Sequence, residues 1–173
     1  QDMETRKLIR LLSGELDRRY HLISAKGIRH LKNLQVSLYL FQHILFQKYL
    51  YNRLDEIERT HLHAEVGKIL EDLYGEQNEE ISVQLARHFQ KAGILDKAFE
   101  YLHKAGKRAA HLSANEEAIV HYKKALELLK KLPETPDKVQ KEIALQLDFT
   151  VPVAALKGYG APEGLQAIFR ARD

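Results

Sequence analysis

Apolar side chains recur at intervals of three and four residues along most of this chain, and this helical period is the strongest constraint on its fold. It predicts helices over residues 3–23, 42–54, 60–75, 79–92, 96–112, 115–131 and 137–156. Pro152 is expected to kink or shorten the last of these, because proline lacks the amide hydrogen that a helix interior uses. One more helix is predicted to start after a turn at residues 157–162.

Residues 24–41 depart from the helical period. The segment 24–33 loses the apolar stripe, and Gly27 and Asn33 are typical of turns, so this basic segment is predicted to be a turn. From Leu34 to Phe41, apolar residues occupy every second position, and this period of two favours a strand. It is the only strand that the sequence predicts.

Small residues occur where two helices would have to approach each other closely. The spacing of Ala86, Phe89, Gly93, Ala98 and Ala105 resembles that of a tetratricopeptide repeat, a pair of packed helices. The residues of a second, partial copy are Ser113, Ala118, Tyr122, Ala125 and Pro133. The two copies are about 20 residues apart instead of about 34, so the helix over 96–112 is shared between them or one copy is degenerate. An ordinary helical bundle, which uses Ala and Leu in the same way, stays open as the alternative.

Longer segments also resemble a protein family. They are YLFQHIL at 39–45, RTHLHAEVGKILE at 59–71, LDKAFEYLHKAG at 95–106 and LKGYGAPE at 156–163. They are similar to the helical region that follows the ATPase module in bacterial predicted ATPases of the AAA or STAND type. Such ATPases accompany class III adenylate or guanylate cyclase, kinase or DNA-binding domains. The resemblance covers roughly residues 34–173.

This resemblance implies an architecture and a role. Residues 1–58 would form a winged-helix-like junction unit, and residues 59–173 a tetratricopeptide-like array that is truncated at its C-terminus. The array would act as a sensor or docking surface, and the junction unit would transmit its state to the nucleotide module. The predicted fold class is therefore mainly all-α: a tetratricopeptide-like array of helical hairpins preceded by a small winged-helix-like unit with one strand. The start at Gln1 and the end in FRARD indicate a piece of a longer signalling chain.

Several classes of catalytic site are excluded by the sequence. The absence of Cys removes thiol nucleophiles and Cys-ligated metals, and no GxxxxGK[ST] loop is present to cradle phosphates. The nine His residues form no HExxH pattern. We therefore predict no enzymatic activity and no catalytic, cofactor-binding or metal-binding residues. No apolar run approaches the ~20 residues of a membrane span, and no signal peptide is evident, so a cytoplasmic protein without membrane contact is expected.

Protein binding is the function that this helical scaffold favours. We predict a non-catalytic interaction or regulatory module whose partner is a protein, a peptide or a neighbouring domain of the parent chain. Its groove is expected on the first helix of each pair. The predicted groove residues are Gln84, Arg87, His88, Lys91, Lys123 and Lys124.

Nucleic-acid binding is the alternative function. Residues 1–70 hold 12 Lys and Arg against 8 Asp and Glu, so the basic excess belongs to the first part of the chain. The residues predicted to contact phosphates are Arg18, Arg19, Lys26, Arg29 and Lys32. A plain solvated face is the other interpretation of the same charges.

Overall fold

A computed structural model describes residues 23–31 and 34–172 of the chain. The α-helices in this part are α1 (Ile44–Arg53), α2 (Glu56–Tyr74), α3 (Ser82–Lys91), α4 (Leu95–His111), α5 (Asn115–Leu129), α6 (Pro136–Lys157) and α7 (Pro162–Arg172). A 3₁₀ helix spans Gly75–Ile81, and the strands are β1 (Ile23–Leu31) and β2 (Leu34–Phe41). The mainly helical fold is thus confirmed. The helix predicted over 3–23 lies outside the described residues, apart from Ile23, which begins β1.

The chain divides into two compact units, residues 1–59 and residues 60–173. The first unit contains a two-stranded sheet and α1. The second contains the helices from α3 to α7 and most of α2.

The strands of the first unit form an antiparallel hairpin, which corrects the prediction of a turn over 24–33 and of a single strand. Ala25 pairs with Tyr39 and Gly27 pairs with Leu38, so Lys26 is the extra residue of a β-bulge. Gly27 has a φ of 151°, a conformation that favours glycine. The extra residue shifts the side chains after it to the opposite face of the sheet from the one that the alternation predicts. Apolar and polar residues therefore do not alternate regularly along β1, and its sequence is not typical of a strand.

A capping box begins α2 at Glu56, four residues earlier than the apolar period predicts. The amide of Glu58 donates a hydrogen bond of 2.7 Å to Asp55 Oδ1. The amide of Asp55 in turn donates one of 3.0 Å to Glu58 Oε2. These reciprocal bonds satisfy backbone donors that the first turn of the helix leaves open.

In the second unit, α3 packs on α4, α4 on α5, α5 on α6, and α6 on α7, while α4 also touches α6 across α5. The small residues at the predicted close approaches are buried: Ala98, Ala118 and Ala125 have no exposed surface. The large side chains that fill the core around them include Leu85, Phe89, Phe99, Tyr122, Leu129, Leu145 and Phe149. Tight backbone approach at alanine, with aromatic rings in the remaining space, holds the helices together.

The turns after α3 and α4 have the same geometry, 20 residues apart. Gly93 and Ser113 both have positive φ, 71° and 60°. The next amide bonds back five residues in each turn: Ile94 to the Phe89 carbonyl and Ala114 to the Ala109 carbonyl, both at 2.9 Å. This is the Schellman arrangement, which usually has glycine at the positive-φ position.

Ser113→Gly is expected to raise the free energy of unfolding by about 0.5–1 kcal/mol, because glycine adopts this conformation without the strain of a Cβ. Gly93→Ser is the matched reverse change and should lower it by a similar amount, since a Cβ at position 93 meets nothing within 4 Å and only backbone strain remains. Urea titrations followed by circular dichroism measure both. Destabilisation by Ser113→Gly would contradict this account.

α6 runs through Pro152 to Lys157, so of the two predicted effects of this proline, a kink or a shortening, the shortening does not occur. The ring of Pro152 is fully buried, and its packing in the core offsets the lost helical hydrogen bond. Thr135 caps the start of α6 by accepting a hydrogen bond of 3.2 Å from the Lys138 amide. Across the described ranges, no helix combines the length and the apolar character that crossing a membrane requires.

Candidate functional site

A basic stripe runs along α4. Lys104, Lys107, Arg108 and His111 lie at positions i, i+3, i+4 and i+7, which places them on one face of the helix. Leu102, Ala105 and Ala109 are buried on the other side of α4, and this apolar face fixes the direction in which the basic stripe points. The core of the second unit therefore holds the stripe in place.

The stripe borders a cavity of about 570 Å³ between α4, α5 and α6. Its other polar walls are Glu79 from the 3₁₀ helix, Tyr122 from α5 and Asp148 from α6. Its apolar part comes from Ala110, Leu112 and Val151. Leu112 and Val151 are 70% and 64% exposed, so the rim carries apolar surface that a partner could cover.

Asp148 is the centre of a hydrogen-bond network at this cavity. Its Oδ2 lies 2.6 Å from Nε2 of His103 and 3.2 Å from Nζ of Lys107. Burial lowers the pKa of His103, although the hydrogen bond to Asp148 acts in the opposite direction. The neutral imidazole donates from Nε2, and the aspartate also neutralises Lys107.

Tyr122 is covered at the cavity floor, with only 1% of its surface exposed. Its ring packs edge-on against His103 and Phe149, at centroid distances of 5.9 and 6.4 Å. Burial raises the pKa of its hydroxyl, and the charge of Asp148 adds to this effect. The phenol is therefore a neutral, fixed part of the wall.

Lys141 fastens α6 to α4 outside this cavity. Its Nζ lies 2.6 Å from Asp96 at the start of α4 and 2.7 Å from Asp137 at the start of α6. Hydrogen bonds to Asp137 and Asp96 raise the pKa of Lys141. These bonds help to keep the two helices that border the cavity at a fixed separation.

A second cavity, of about 170 Å³, shares Glu79, Arg108 and Leu112 with the first. Arg108 thus stands where the two spaces adjoin. His121 lines the second cavity and is 7% exposed, with its Nε2 lying 3.4 Å from Glu117. Its Nδ1 is buried and has no hydrogen-bond partner in the described part of the chain.

The predicted groove residues lie elsewhere. Gln84, Arg87 and Lys91 are exposed on α3, and Lys123 and Lys124 are exposed on α5. None of them, and not His88, lines either of these two cavities. The charge of Lys123 makes a small contribution to lowering the pKa of Glu163. The charges of Lys91 and Arg87 help to lower the pKa of His63. Their part in binding stays a prediction.

Of the predicted phosphate contacts, Arg18, Arg19 and Lys32 lie outside the described residues. Lys26 is exposed at the β-bulge, and Arg29 is part of β1. The described residues therefore leave this set of contacts untested. Within the same ranges, no group of three or more His, Asp or Glu side chains is arranged to hold a metal ion.

A pair of histidines joins α2 to α3. Nδ1 of His63 lies 3.0 Å from Nδ1 of His88, and the two rings are tilted, 5.0 Å apart. One ring must donate and the other accept, so at least one imidazole is neutral. Burial lowers the pKa of both groups. The charges of Lys91 and Arg87 lower the pKa of His63 further. The pKa of His88 is lowered further by His63, Arg87 and Lys91.

This pair predicts a loss of stability in acid. The pKa values of both histidines in the folded protein lie below the ordinary value of 6.5. The stability that the pair contributes is therefore complete above about pH 6.5, and it is lost as the pH falls through the folded pKa values. We expect His88→Leu to lose about 1 kcal/mol at about pH 8, through the broken hydrogen bond, and to change less than wild type between about pH 8 and 5.5. Urea titrations across this range measure the difference. An equal acid-induced loss in both proteins would refute the role of the pair, since His103 contributes equally to each.

Comparison of the chain with protein-family models, curated proteins and solved structures finds no match.

Proposed function

We propose that this chain is a non-catalytic protein–protein interaction module, and that the cavity between α4, α5 and α6 receives a peptide segment of its partner. The observation that carries the proposal is the cavity itself, about 570 Å³ in volume, with apolar rim residues Leu112 and Val151 beside fixed polar groups. Ligand sites combine an apolar surface with a few oriented polar side chains in this way. The partner is a separate protein or a neighbouring domain of the parent chain.

The resemblance to the helical region of bacterial signalling ATPases supports a regulatory setting for this module. In that setting the second unit is a tetratricopeptide-like array, and the identical turns at Gly93 and Ser113 support such a repeat. The first unit is the winged-helix-like junction, for which the β1–β2 hairpin would be the wing. Binding in the cavity would then regulate an effector elsewhere in the parent protein.

The alternative, nucleic-acid binding through the first unit, stays a prediction. It depends on side chains that for the most part lie outside the described residues.

The proposal is tested by selecting binders from a random peptide library on the whole chain and mapping them by amide chemical shifts. The selected peptides should shift the amides of α4, Tyr122 and α6. Val151→Trp, which fills the cavity, should weaken binding at least about tenfold, or about 1.4 kcal/mol. Val120→Trp is the matched control, since Val120 is also exposed, on α5, and does not line the cavity. Shifts confined to other surfaces, with no effect of Val151→Trp, would refute the proposal.

A further inference from the structure

The larger cavity is lined by more fixed cations than carboxylates. At the larger cavity, three fixed cations, Lys104, Lys107 and Arg108, face two carboxylates, those of Glu79 and Asp148, whereas Glu80 and Glu117 line only the second cavity. Within the larger cavity, this surplus of one positive charge matches a single carboxylate of a ligand. A nucleic-acid strand, with a charge on every phosphate, carries more negative charge than this surplus can neutralise.

Contacts within the chain identify the unpaired cation. Lys107 forms an ion pair with Asp148 at 3.2 Å. Lys104 lies over the ring of Tyr101, with its Nζ 5.0 Å from the centroid. Arg108 makes no side-chain hydrogen bond, ion pair or ring contact with any other residue that the structure describes.

Arg108 is nevertheless half-buried and lines both adjoining cavities. A guanidinium that has lost part of its water and has no partner is costly, so it gains more from a new ion pair than an exposed lysine does. Its planar fork also fits a carboxylate through two parallel hydrogen bonds. The arginine is therefore prepared for an anion that no described residue supplies.

Building on the proposed function, we propose that the partner segment is an acidic peptide, and that one of its Asp or Glu carboxylates pairs with Arg108 on the side of the larger cavity, away from Glu80 and Glu117. The peptide lies along the basic stripe of α4, with apolar side chains against Leu112 and Val151. The ion pair selects the acidic residue, and the apolar contacts supply the remaining affinity.

The experiment uses the peptides selected on the whole chain and a counterpart of each in which Glu is replaced by Gln. We expect the selected peptides to be enriched in Asp and Glu. Arg108→Gln and the Glu→Gln peptide should each weaken binding about tenfold, as measured by fluorescence polarisation, and together little more than either alone. Arg170→Gln, an exposed arginine of α7 that lines neither of the two cavities, should leave affinity unchanged. Circular dichroism verifies that each variant is folded.

The two proposals fail in different ways. If peptides bind in the cavity but are neutral, or if Arg108→Gln behaves like Arg170→Gln, the acidic-peptide inference is overturned while the interaction module stands. If a duplex oligonucleotide displaces the peptides from the cavity at the same concentration as an acidic peptide does, the inference is overturned as well. If no selected peptide shifts the amides of the cavity, the proposed function itself fails.

Discussion

Phe89→Ala is expected to lower the free energy of unfolding of the second unit by about 3–5 kcal/mol, a large part of the stability of a domain of this size. Phe89 has no exposed surface. Its ring stacks on Tyr101 at a centroid distance of 5.7 Å and fills the space beside Gly67 on α2. Removal of the ring leaves a cavity where α2, α3 and α4 meet, because rigid helices relax only partly into the vacated volume.

Phe169→Ala provides the control, since half of the Phe169 surface is exposed on α7. The same substitution there should change stability by less than about 1 kcal/mol. Urea titrations followed by circular dichroism compare the two variants with wild type. If Phe89→Ala is too unstable to purify, Phe89→Leu, expected to cost about 1–2 kcal/mol, tests the same packing. Equal losses at positions 89 and 169 would contradict the core described here.

Local signals account for the part of the fold that the sequence predicts. The helices of the second unit follow from apolar spacing, and their ends follow from glycine and proline punctuation such as Gly93 and Pro136. The close approaches follow from small residues, and the structure buries Ala98 and Ala118 as that reasoning requires. These features depend on neighbours within one helix or on adjacent helices, and a single sequence displays them directly.

The hairpin of the first unit could not be predicted in the same way. A bulge at Lys26 adds one residue to β1, so apolar side chains before and after it alternate out of step. Its other signal, Gly27, is as typical of a turn as of a bulge. Only the pairing with β2 resolves that ambiguity, and pairing is a property of two segments together.

The cavity could not be predicted from the sequence for a related reason. The repeat pattern predicts a groove on α3 and α5. The cavity instead lies between α4, α5 and α6, where α4 and α6 touch across α5. One signal was available: the basic stripe from Lys104 to His111 at i, i+3, i+4 and i+7. What no single sequence shows is that Asp148, 41 residues after Lys107, pairs with that lysine and leaves Arg108 without a partner among the residues that the structure describes.

Gly106→Ala is expected to destabilise the second unit by about 2 kcal/mol, although alanine has the higher helix propensity by about 1 kcal/mol. A Cβ at this position in α4 would lie 2.4 Å from Cε1 and 2.6 Å from Cδ1 of Tyr122. The Tyr122 ring cannot move aside cheaply, because it is buried between His103 and Phe149. The overlap must therefore push α4 and α5 apart, which loosens contacts along both helices.

Gly160→Ala is the matched control, because a Cβ there meets nothing within 4 Å and the backbone does not have positive φ. This change should leave stability equal or raise it by up to about 1 kcal/mol, since it restricts the unfolded chain. The same substitution thus has opposite expected signs at two positions. Combining Gly106→Ala with Tyr122→Leu removes the ring that the new methyl group strikes, so the added cost of alanine at position 106 should vanish on that background. If urea titrations show that alanine costs as much in the Tyr122→Leu background as it does beside the native tyrosine, the clash is not the cause, and the close approach of α4 and α5 at this point is refuted.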